Sequence, residues 1–308
     1  MPSLFPSRAT RLAIAAGAAL LAGLAALAAA PGAIMQWPDL LDRPKPAADR
    51  RIAYGQDPLQ HADLWLPAGK PPFPVVLMVH GGCWQTDIAD AGIMNWIADD
   101  LRAHGVAVWN IEYRGVDRPG GGYPGTFRDV AAAADALRPA AARFGLRADR
   151  VVVLGHSAGG HLGLWLAARG RLPRGSALRT ADPLPIATAI SIGGLPDLQA
   201  AQIPPGDTCG VEAVRTLAGR ATTDRPNVYR DTSPAELMPF PARQILVNAT
   251  RDRIAPPAFA AAYAARARAA GSPVTLLTVP DEGHVELIAP GTKAWETERA
   301  AILRALGR

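Results

Sequence analysis

The stretch Val151–Gly160, VVVLGHSAGG, decides the fold, because it joins an apolar run directly to a GxSxG turn centred on Ser157. The apolar residues Val151–Leu154, three of them β-branched, are typical of a strand that is buried on both faces. The run that follows, HLGLWLAARG, has the composition and length of a helix. A serine at such a strand-to-helix turn is exposed on a strained backbone, so the sequence predicts a nucleophilic hydroxyl at Ser157.

Buried strands alternate with helical segments along the rest of the chain. This alternation requires right-handed crossovers and a mostly parallel central sheet that is covered by helices on both faces, so the predicted fold class is α/β. The predicted strands are Pro74–His80, Val106–Tyr113, Arg150–His156, Ala187–Gly193, Ala242–Asn248 and Val274–Val279, and the predicted helices are Gly92–Ala103, Phe127–Phe144, His161–Arg169, Ala258–Ala270 and Thr292–Leu306.

Residues 51–308 form one predicted domain. Arg51–Pro67 has the pattern of a short antiparallel addition to the sheet, and residues 34–50 are interpreted as a Pro-rich linker. The segment 195–241 breaks the alternation of strands and helices and is rich in Pro and Asp. We expect this insertion to form a small cap that shapes the ligand pocket.

Residues 1–33 differ from the rest of the chain. Arg8 and Arg11 precede the uncharged run Leu12–Ala30, and the small residues Ala28 and Ala30 offer a cleavage site, which is the pattern of a signal peptide. The run is also nearly long enough to cross a bilayer, so an uncleaved anchor is the alternative. The sequence predicts an exported protein, periplasmic or secreted, that is either free or membrane-associated through this segment.

The composition excludes several classes of function. The formal net charge of +5 falls to +3 when the two arginines of the N-terminal segment are removed, and no Lys/Arg cluster is interleaved with aromatic residues. Nucleic-acid binding is therefore not expected.

His156 and His161 have no accompanying cluster of metal-ligating side chains, so we predict no metal. Cys83 and Cys209 are expected to be buried free thiols, with a disulfide as the alternative.

A nucleophilic serine needs a base, and His284 is the histidine that lies in a loop directly after the last predicted strand. An imidazole must also be held in the correct tautomer by a carboxylate. Asp252 follows the preceding strand and is the favoured acid, with Asp281 and Glu282 as alternatives on the loop of the histidine itself. The predicted catalytic residues are Ser157, Asp252 and His284.

A negatively charged tetrahedral intermediate also needs N–H donors that are already in position. The sequence HGGCW directly follows the strand PVVLMV, and its glycines allow bare backbone amides to approach a substrate oxygen. Two aromatic residues in nearby loops are expected to line the substrate pocket. The predicted oxyanion hole consists of Gly81, Gly82, Cys83 and Ala158, and the predicted pocket residues are Trp84 and Tyr123.

Several motifs together resemble a known family. HGGCW, EYRG, YPGTFRDVAAAADAL, GHSAGGHL, GGLPDL, DTSPAE and the final D…GH pairing are similar to the α/β-hydrolase group that contains kynurenine formamidase-like enzymes and small carboxylesterases of the hormone-sensitive-lipase type. The resemblance covers about Pro74 to Ile288. It implies an acyl-enzyme hydrolase with nucleophile Ser157, acid Asp252 and base His284, and neither a metal nor an organic cofactor.

The expected function is cleavage of short-acyl or aryl carboxylic esters, with a small-molecule ester or amide as the substrate. Hydrolysis of aryl formamides is the alternative, and the predicted export disfavours it, because kynurenine formamidases normally work inside the cell. An exported peptidase and a non-catalytic binding protein are weaker alternatives. The sequence does not indicate an oligomeric state.

Overall fold

The computed structural model describes residues 32–308, of which Ile34–Arg308 form one compact unit. The predicted export segment, residues 1–33, lies outside the described residues except for its last two, so that prediction stays a prediction. No helix within residues 32–308 has the length and apolar character needed to cross a membrane.

An eight-stranded sheet forms the centre of the unit, in the order β1-β2-β4-β3-β5-β6-β7-β8. Strand β2 is antiparallel to both β1 and β4, whereas every other neighbouring pair is parallel. The predicted mostly parallel sheet with an antiparallel addition is therefore confirmed. The strands are β1 Arg50–Ala53, β2 His61–Trp65, β3 Phe73–Val79, β4 Ala107–Ile111, β5 Leu146–His156, β6 Ile186–Ile192, β7 Arg243–Ala249 and β8 Val274–Val279.

Helices cover both faces of the sheet. Because side chains alternate along a strand, Val75 and Leu77 of β3 enter one apolar core and Val76 and Met78 enter the other. Helices α3, α4, α5 and α7 contribute to the first core, and α2 and α8 contribute to the second. The helices are α1 Trp37–Leu41, α2 Asn95–Ala103, α3 Gly125–Asp135, α4 Leu137–Phe144, α5 Ala158–Ala168, α6 Val211–Ala218, α7 Pro257–Ala269 and α8 Lys293–Ala305.

The helix predicted over Phe127–Phe144 is two helices, α3 and α4, that meet at Ala136. Pro139 explains the break, because proline has no N–H for the bond that would continue the helix. In the first turn of a new helix the missing N–H costs nothing, and Pro139 lies in the first turn of α4.

The segment interpreted as a linker, residues 34–50, is packed on the domain and contains α1. Leu40 of this helix is fully buried in the second core. The backbone N–H of Met35 donates to Glu286 at 2.6 Å, and the indole of Trp96 donates to the carbonyl of Pro44 at 3.1 Å. The interpretation as a linker is wrong for this segment, because its apolar side chains have a core to enter.

Candidate active site

Ser157 lies between the last residue of β5 and the first residue of α5, as the GxSxG turn predicts. Its φ of 54° is in the left-handed region, which is strained for a residue with a side chain. A Cβ at Gly159 would come within 2.1 Å of the carbonyl oxygen of Val79, and one at Gly155 within 2.0 Å of the carbonyl oxygen of Gly159. The turn therefore requires both glycines, and the packed strands hold the serine in its unusual conformation.

His284 and Asp252 are brought together from the loops that follow β8 and β7. The Nδ1 of His284 lies 2.7 Å from the Oδ2 of Asp252, and both side chains are buried. The other oxygen of Asp252 accepts the N–H groups of Ile254 and Ala255, each at 2.8 Å. Because the carboxylate can only accept from Nδ1–H, the Nε2 of His284 is left as a proton acceptor.

The alternative acids have other roles. The two oxygens of Glu282 accept the N–H groups of Lys293 and Ala294 at the start of α8. Asp281 is exposed, and its backbone N–H donates to the hydroxyl of Thr250. The structure thus pairs the imidazole of the candidate base with Asp252.

Gly193, which the sequence analysis did not single out, follows β6 and packs against this pair. Its φ is +51°, and a Cβ there would lie 3.0 Å from both Asp252 Oδ2 and His284 Nδ1. A larger residue would therefore press on the hydrogen bond between the two side chains. The GG after a predicted buried strand was the signal in the sequence that could have identified this position.

Ser157 and His284 line the same cavity, which has a volume of about 270 Å³. Most of its other walls are apolar, and the only ionisable side chains among the described lining residues are those of two histidines. None of the described lining residues belongs to the insertion 195–241. The lining residues are Trp37, Leu41, Gly82, Cys83, Ile88, Ala89, Ile93, His156, Ser157, Ile254 and His284.

Helix α1 supplies one wall of this cavity through Trp37 and Leu41, which the sequence analysis missed. The indole of Trp37 stands edge-on to the imidazole of His284, with ring centroids 6.3 Å apart. Leu41 is 49% exposed at the opening, as is Ile88 at 58%. Neither Trp37 nor Leu41 lies in a recognisable motif, so only the packing of the chain reveals that they line the cavity.

The predicted oxyanion loop follows β3 and runs beside Ser157. Gly82, Cys83 and Trp84 all have positive φ, at 97°, 52° and 58°. A Cβ at Gly81 would lie 2.9 Å from the Cβ of Ser157, which shows how closely the loop approaches the serine.

Gly82 and Cys83 line the cavity with Ser157. Ala158 is the first residue of α5, where backbone N–H groups have no partner within the helix.

A buried pair of charged side chains supports this loop. The Nε2 of His80 lies 2.9 Å from Glu112, whose carboxylate also accepts the N–H groups of Ala91 and Tyr113, each at 2.8 Å. Burial alone would disfavour both charges, but each side chain stabilises the charge of the other. As a result the pKa of His80 is raised and the pKa of Glu112 is lowered.

Cys83 and Cys209 form a disulfide, so the expectation of two free thiols is wrong. The bond joins the oxyanion loop to the insertion 195–241, with the two Cα atoms 5.2 Å apart. The two cysteines are separated by 126 residues, and no sequence signal marked the segments that carry them as neighbours. The insertion is thus bonded to the oxyanion loop, but the expectation that it shapes the pocket is wrong for the cavity that contains Ser157, because none of the described lining residues belongs to it.

The imidazole of His156 packs against the imidazole of His284, the candidate base. Its ring centroid is 4.4 Å from that of His284, and its Nε2 lies 3.3 Å from the carbonyl oxygen of His284. Burial and then the neighbouring imidazole lower its pKa well below 6.5. His156 is therefore neutral at physiological pH and does not repel a proton arriving on His284.

The two aromatic residues predicted to line the pocket lie elsewhere, so those predictions are wrong for the cavity that contains Ser157. Trp84 is fully buried beneath the loop, edge-on to His161 with ring centroids 5.6 Å apart. The ring of Tyr123 lies beneath the guanidinium of Arg225 and lines a second cavity. Among the residues that the structure describes, no cluster of side chains could hold a metal ion.

Comparisons with known proteins agree with this architecture. The family model described as BD-FAE matches residues 62–264, which is more than half of the chain. Esterase LipC from Mycobacterium tuberculosis is 30% identical over 261 residues, which cover 82% of this chain and 64% of LipC. A probable isoprenylcysteine alpha-carbonyl methylesterase from Arabidopsis thaliana is 30% identical over 118 residues, which cover 38% of this chain and 24% of that protein. The chain thus spans less than two thirds of the length of these two relatives.

Solved structures share the fold. A truncated carbohydrate esterase from gut microbiota superposes with a TM-score of 0.69 at 20% identity, covering 84% of this chain and 95% of the other. Esterase B from Lactobacillus rhamnosis superposes with a TM-score of 0.69 at 18% identity, covering 86% and 87%. These likenesses confirm the α/β-hydrolase fold that the motifs implied.

Proposed function

The chain belongs to the BD-FAE family, and on that basis we propose that it is a serine hydrolase that cleaves small carboxylic esters through an acyl-enzyme intermediate. The observation that carries the proposal is the Asp252–His284 pair, whose histidine lines one cavity with Ser157. The names of its relatives, among them Esterase LipC, support the choice of esters.

In the proposed first step, the Nε2 of His284 takes the proton of the Ser157 hydroxyl as its oxygen attacks the ester carbonyl. Asp252 holds the imidazole by Nδ1 at 2.7 Å and stabilises the imidazolium that forms. The imidazolium then gives its proton to the alcohol as the carbon–oxygen bond breaks. Water activated by the same imidazole hydrolyses the acyl-enzyme, which releases the acid and restores Ser157.

The oxyanion of each tetrahedral intermediate would be held by backbone N–H groups of Gly82, Cys83 and Ala158. Gly81 allows the loop to pass close to Ser157, since a Cβ there would collide with the serine. His80 and Glu112 fix the loop by a buried ion pair rather than touching substrate. Loss of one such donor typically lowers turnover by about 100- to 1000-fold.

The walls of the cavity favour small, uncharged esters. A volume of about 270 Å³ is just below the usual range of small-molecule pockets, and the described lining residues include no Asp, Glu, Lys or Arg. Trp37 and Leu41 narrow the cavity from the side of α1. Short acyl chains would therefore fit better than long ones.

We also propose that the protein acts outside the cytoplasm. The signal-peptide pattern of residues 1–33 supports export, and so does the Cys83–Cys209 disulfide, since disulfides are rare in reducing compartments. Fractionation of cells that express the full chain would test this proposal: recovery in the cytoplasmic fraction with unpaired thiols would contradict it. Recovery in the membrane fraction with an intact N-terminus would indicate an anchor.

Covalent labelling tests the proposed chemistry. A fluorophosphonate probe should label the wild-type protein and the control Ser272→Ala, but not Ser157→Ala, with all three shown to be folded by circular dichroism. Ser272 is a suitable control because its buried hydroxyl accepts the N–H of Phe240 and it is not among the described residues that line the cavity with Ser157. Equal labelling of Ser157→Ala would contradict the assignment of the nucleophile.

A substrate panel then tests the substrate class. Aryl esters of increasing acyl length should be hydrolysed with kcat/KM falling as the chain lengthens, and N-formyl-kynurenine should be a poor substrate. A preference for the formamide over every ester would instead support the aryl-formamidase alternative.

A further inference from the structure

A second cavity, larger than the one that contains Ser157, lies between residues 173–177 and residues 220–231. Its volume is about 560 Å³, and none of its described lining residues lines the first cavity. Four arginines line it, against two carboxylates, so the cavity has a net positive charge. We call it the arginine cavity; its four arginines are Arg174, Arg220, Arg225 and Arg230.

One carboxylate of the arginine cavity is already fully used. Asp231 is buried, and its Oδ1 accepts from the Nε and Nη2 of Arg225 at 2.9 and 2.7 Å. Its Oδ2 accepts the hydroxyls of Ser176 and Tyr123 at 2.8 and 3.2 Å. Asp231 therefore neutralises Arg225 and has no capacity left for another arginine.

Arg225 is locked in place as part of the wall. Its guanidinium stacks on the ring of Tyr123 at 3.7 Å, and its Nη2 also donates to the carbonyl oxygens of Ala218 and Val228. The Nη1 of Arg225 is buried and has no hydrogen-bond partner among the described residues. Arg225 is therefore a rigid and neutralised part of the wall, and the positive charge available to a ligand comes from the other three arginines.

The remaining three arginines, Arg174, Arg220 and Arg230, form no ion pair with any carboxylate within residues 32–308. Asp224, on the same cavity, has no ion pair there either and is exposed. These three exposed guanidinium groups line one cavity and give it a positive potential, which attracts an anion.

The other polar groups of the cavity also favour a ligand rich in acceptors. The amide oxygen of Asn227 accepts the N–H of Tyr229 at 2.9 Å, which leaves its amino group to donate. The polar groups that line the cavity are therefore mainly hydrogen-bond donors. The cavity volume suits a molecule of the size of a sugar rather than a macromolecule.

We propose that the arginine cavity binds a small organic anion through a carboxylate or phosphate group, which bidentate arginines recognise well. This site is separate from the proposed esterase site and does not depend on it. Carboxylate and phosphate groups both present negatively charged oxygen atoms that accept hydrogen bonds from arginine, and the experiment below distinguishes the two.

Isothermal titration calorimetry with glucose 6-phosphate, glucuronate and glucose at equal ionic strength tests the proposal. We expect at least one of the two charged sugars to bind in about the millimolar range or tighter, and glucose not to bind detectably. The better of the two identifies phosphate or carboxylate as the preferred group. Binding of glucose as tight as that of both anions, or no binding of either anion, would overturn the proposal.

Variants place the binding in the cavity. Arg174→Ala and Arg230→Ala remove exposed arginines and should each weaken binding of the charged sugar by about tenfold. Arg268→Ala removes an exposed arginine of α7 that does not line the cavity and should leave binding unchanged. Equal weakening by all three variants would show a general charge effect and contradict a site at the cavity. Thermal unfolding of each variant confirms that it is folded.

Discussion

The disulfide between Cys83 and Cys209 provides a quantitative test of how the oxyanion loop is held. The bond links residues 126 positions apart, and closing a loop of that length reduces the entropy of the unfolded chain. The chain-entropy relation gives about 5 kcal/mol for a loop of this size. Cys209→Ala removes the bond but keeps the proposed donor, the N–H of Cys83. We expect the free energy of unfolding to fall by up to about 5 kcal/mol.

Urea unfolding of the wild type and Cys209→Ala, followed by tryptophan fluorescence, measures that loss. Turnover of a short aryl ester should fall as well, because the released loop no longer holds the Cys83 amide in position. Loss of one oxyanion donor lowers turnover by about 100- to 1000-fold, and the decrease in Cys209→Ala should not be larger than that. Dithiothreitol should lower the stability of the wild type to that of the variant and leave the variant unchanged.

Two results would refute this reasoning. One is reaction of two thiols with a thiol reagent in the native, unreduced protein, which would show that the bond does not form. The other is a Cys209→Ala variant that unfolds at the same urea concentration as the wild type and keeps full turnover. In that case the loop would be held by its other contacts alone.

Three further substitutions test other parts of the account. Asp252→Asn should lower kcat for a short aryl ester by about 10⁴-fold, because the imidazole of His284 would be held in the wrong tautomer; a loss under tenfold in steady-state kinetics would contradict that role. Trp37→Ala should raise the kcat/KM of hexanoyl relative to acetyl esters by enlarging the cavity, and an unchanged ratio would show that α1 does not limit acyl length. Burial lowers the pKa of His161 to about 4, so the unfolded chain binds its proton near pH 6.5 and the folded protein does not. Acidification from pH 7.5 to 4 should therefore lower the free energy of unfolding by up to about 3 kcal/mol. In His161→Gln the urea concentration at the unfolding midpoint should depend less on pH over that range, and a pH dependence equal to that of the wild type would contradict this role of His161.

The sequence predicts the sheet well because its strands are strongly apolar. Val274–Val279 is a strand over the same residues as predicted, and β3, β5, β6 and β7 agree within a few residues. The pairing of Asp252 with His284 is also accessible from sequence, because both follow parallel neighbouring strands whose carboxyl ends meet at one edge of the sheet.

The missed features depend on contacts between segments that are distant in sequence. Trp37 carries no motif, and its place beside His284 follows from the burial of Leu40 in the second core. The Cys83–Cys209 bond requires the path of the insertion, which periodicity does not give. Trp84 has a positive φ that directs its side chain beneath the loop, and a sequence pattern does not show that direction.

Trapping of the acyl-enzyme is the most direct test of the central claim that Ser157 is the nucleophile activated by His284. Protein mixed with p-nitrophenyl acetate, quenched in acid and digested should carry one acetyl group, which tandem mass spectrometry should place on Ser157. Ser157→Ala should carry none and should not turn the ester over. An acetyl group on another residue, or undiminished hydrolysis by Ser157→Ala, would contradict the account.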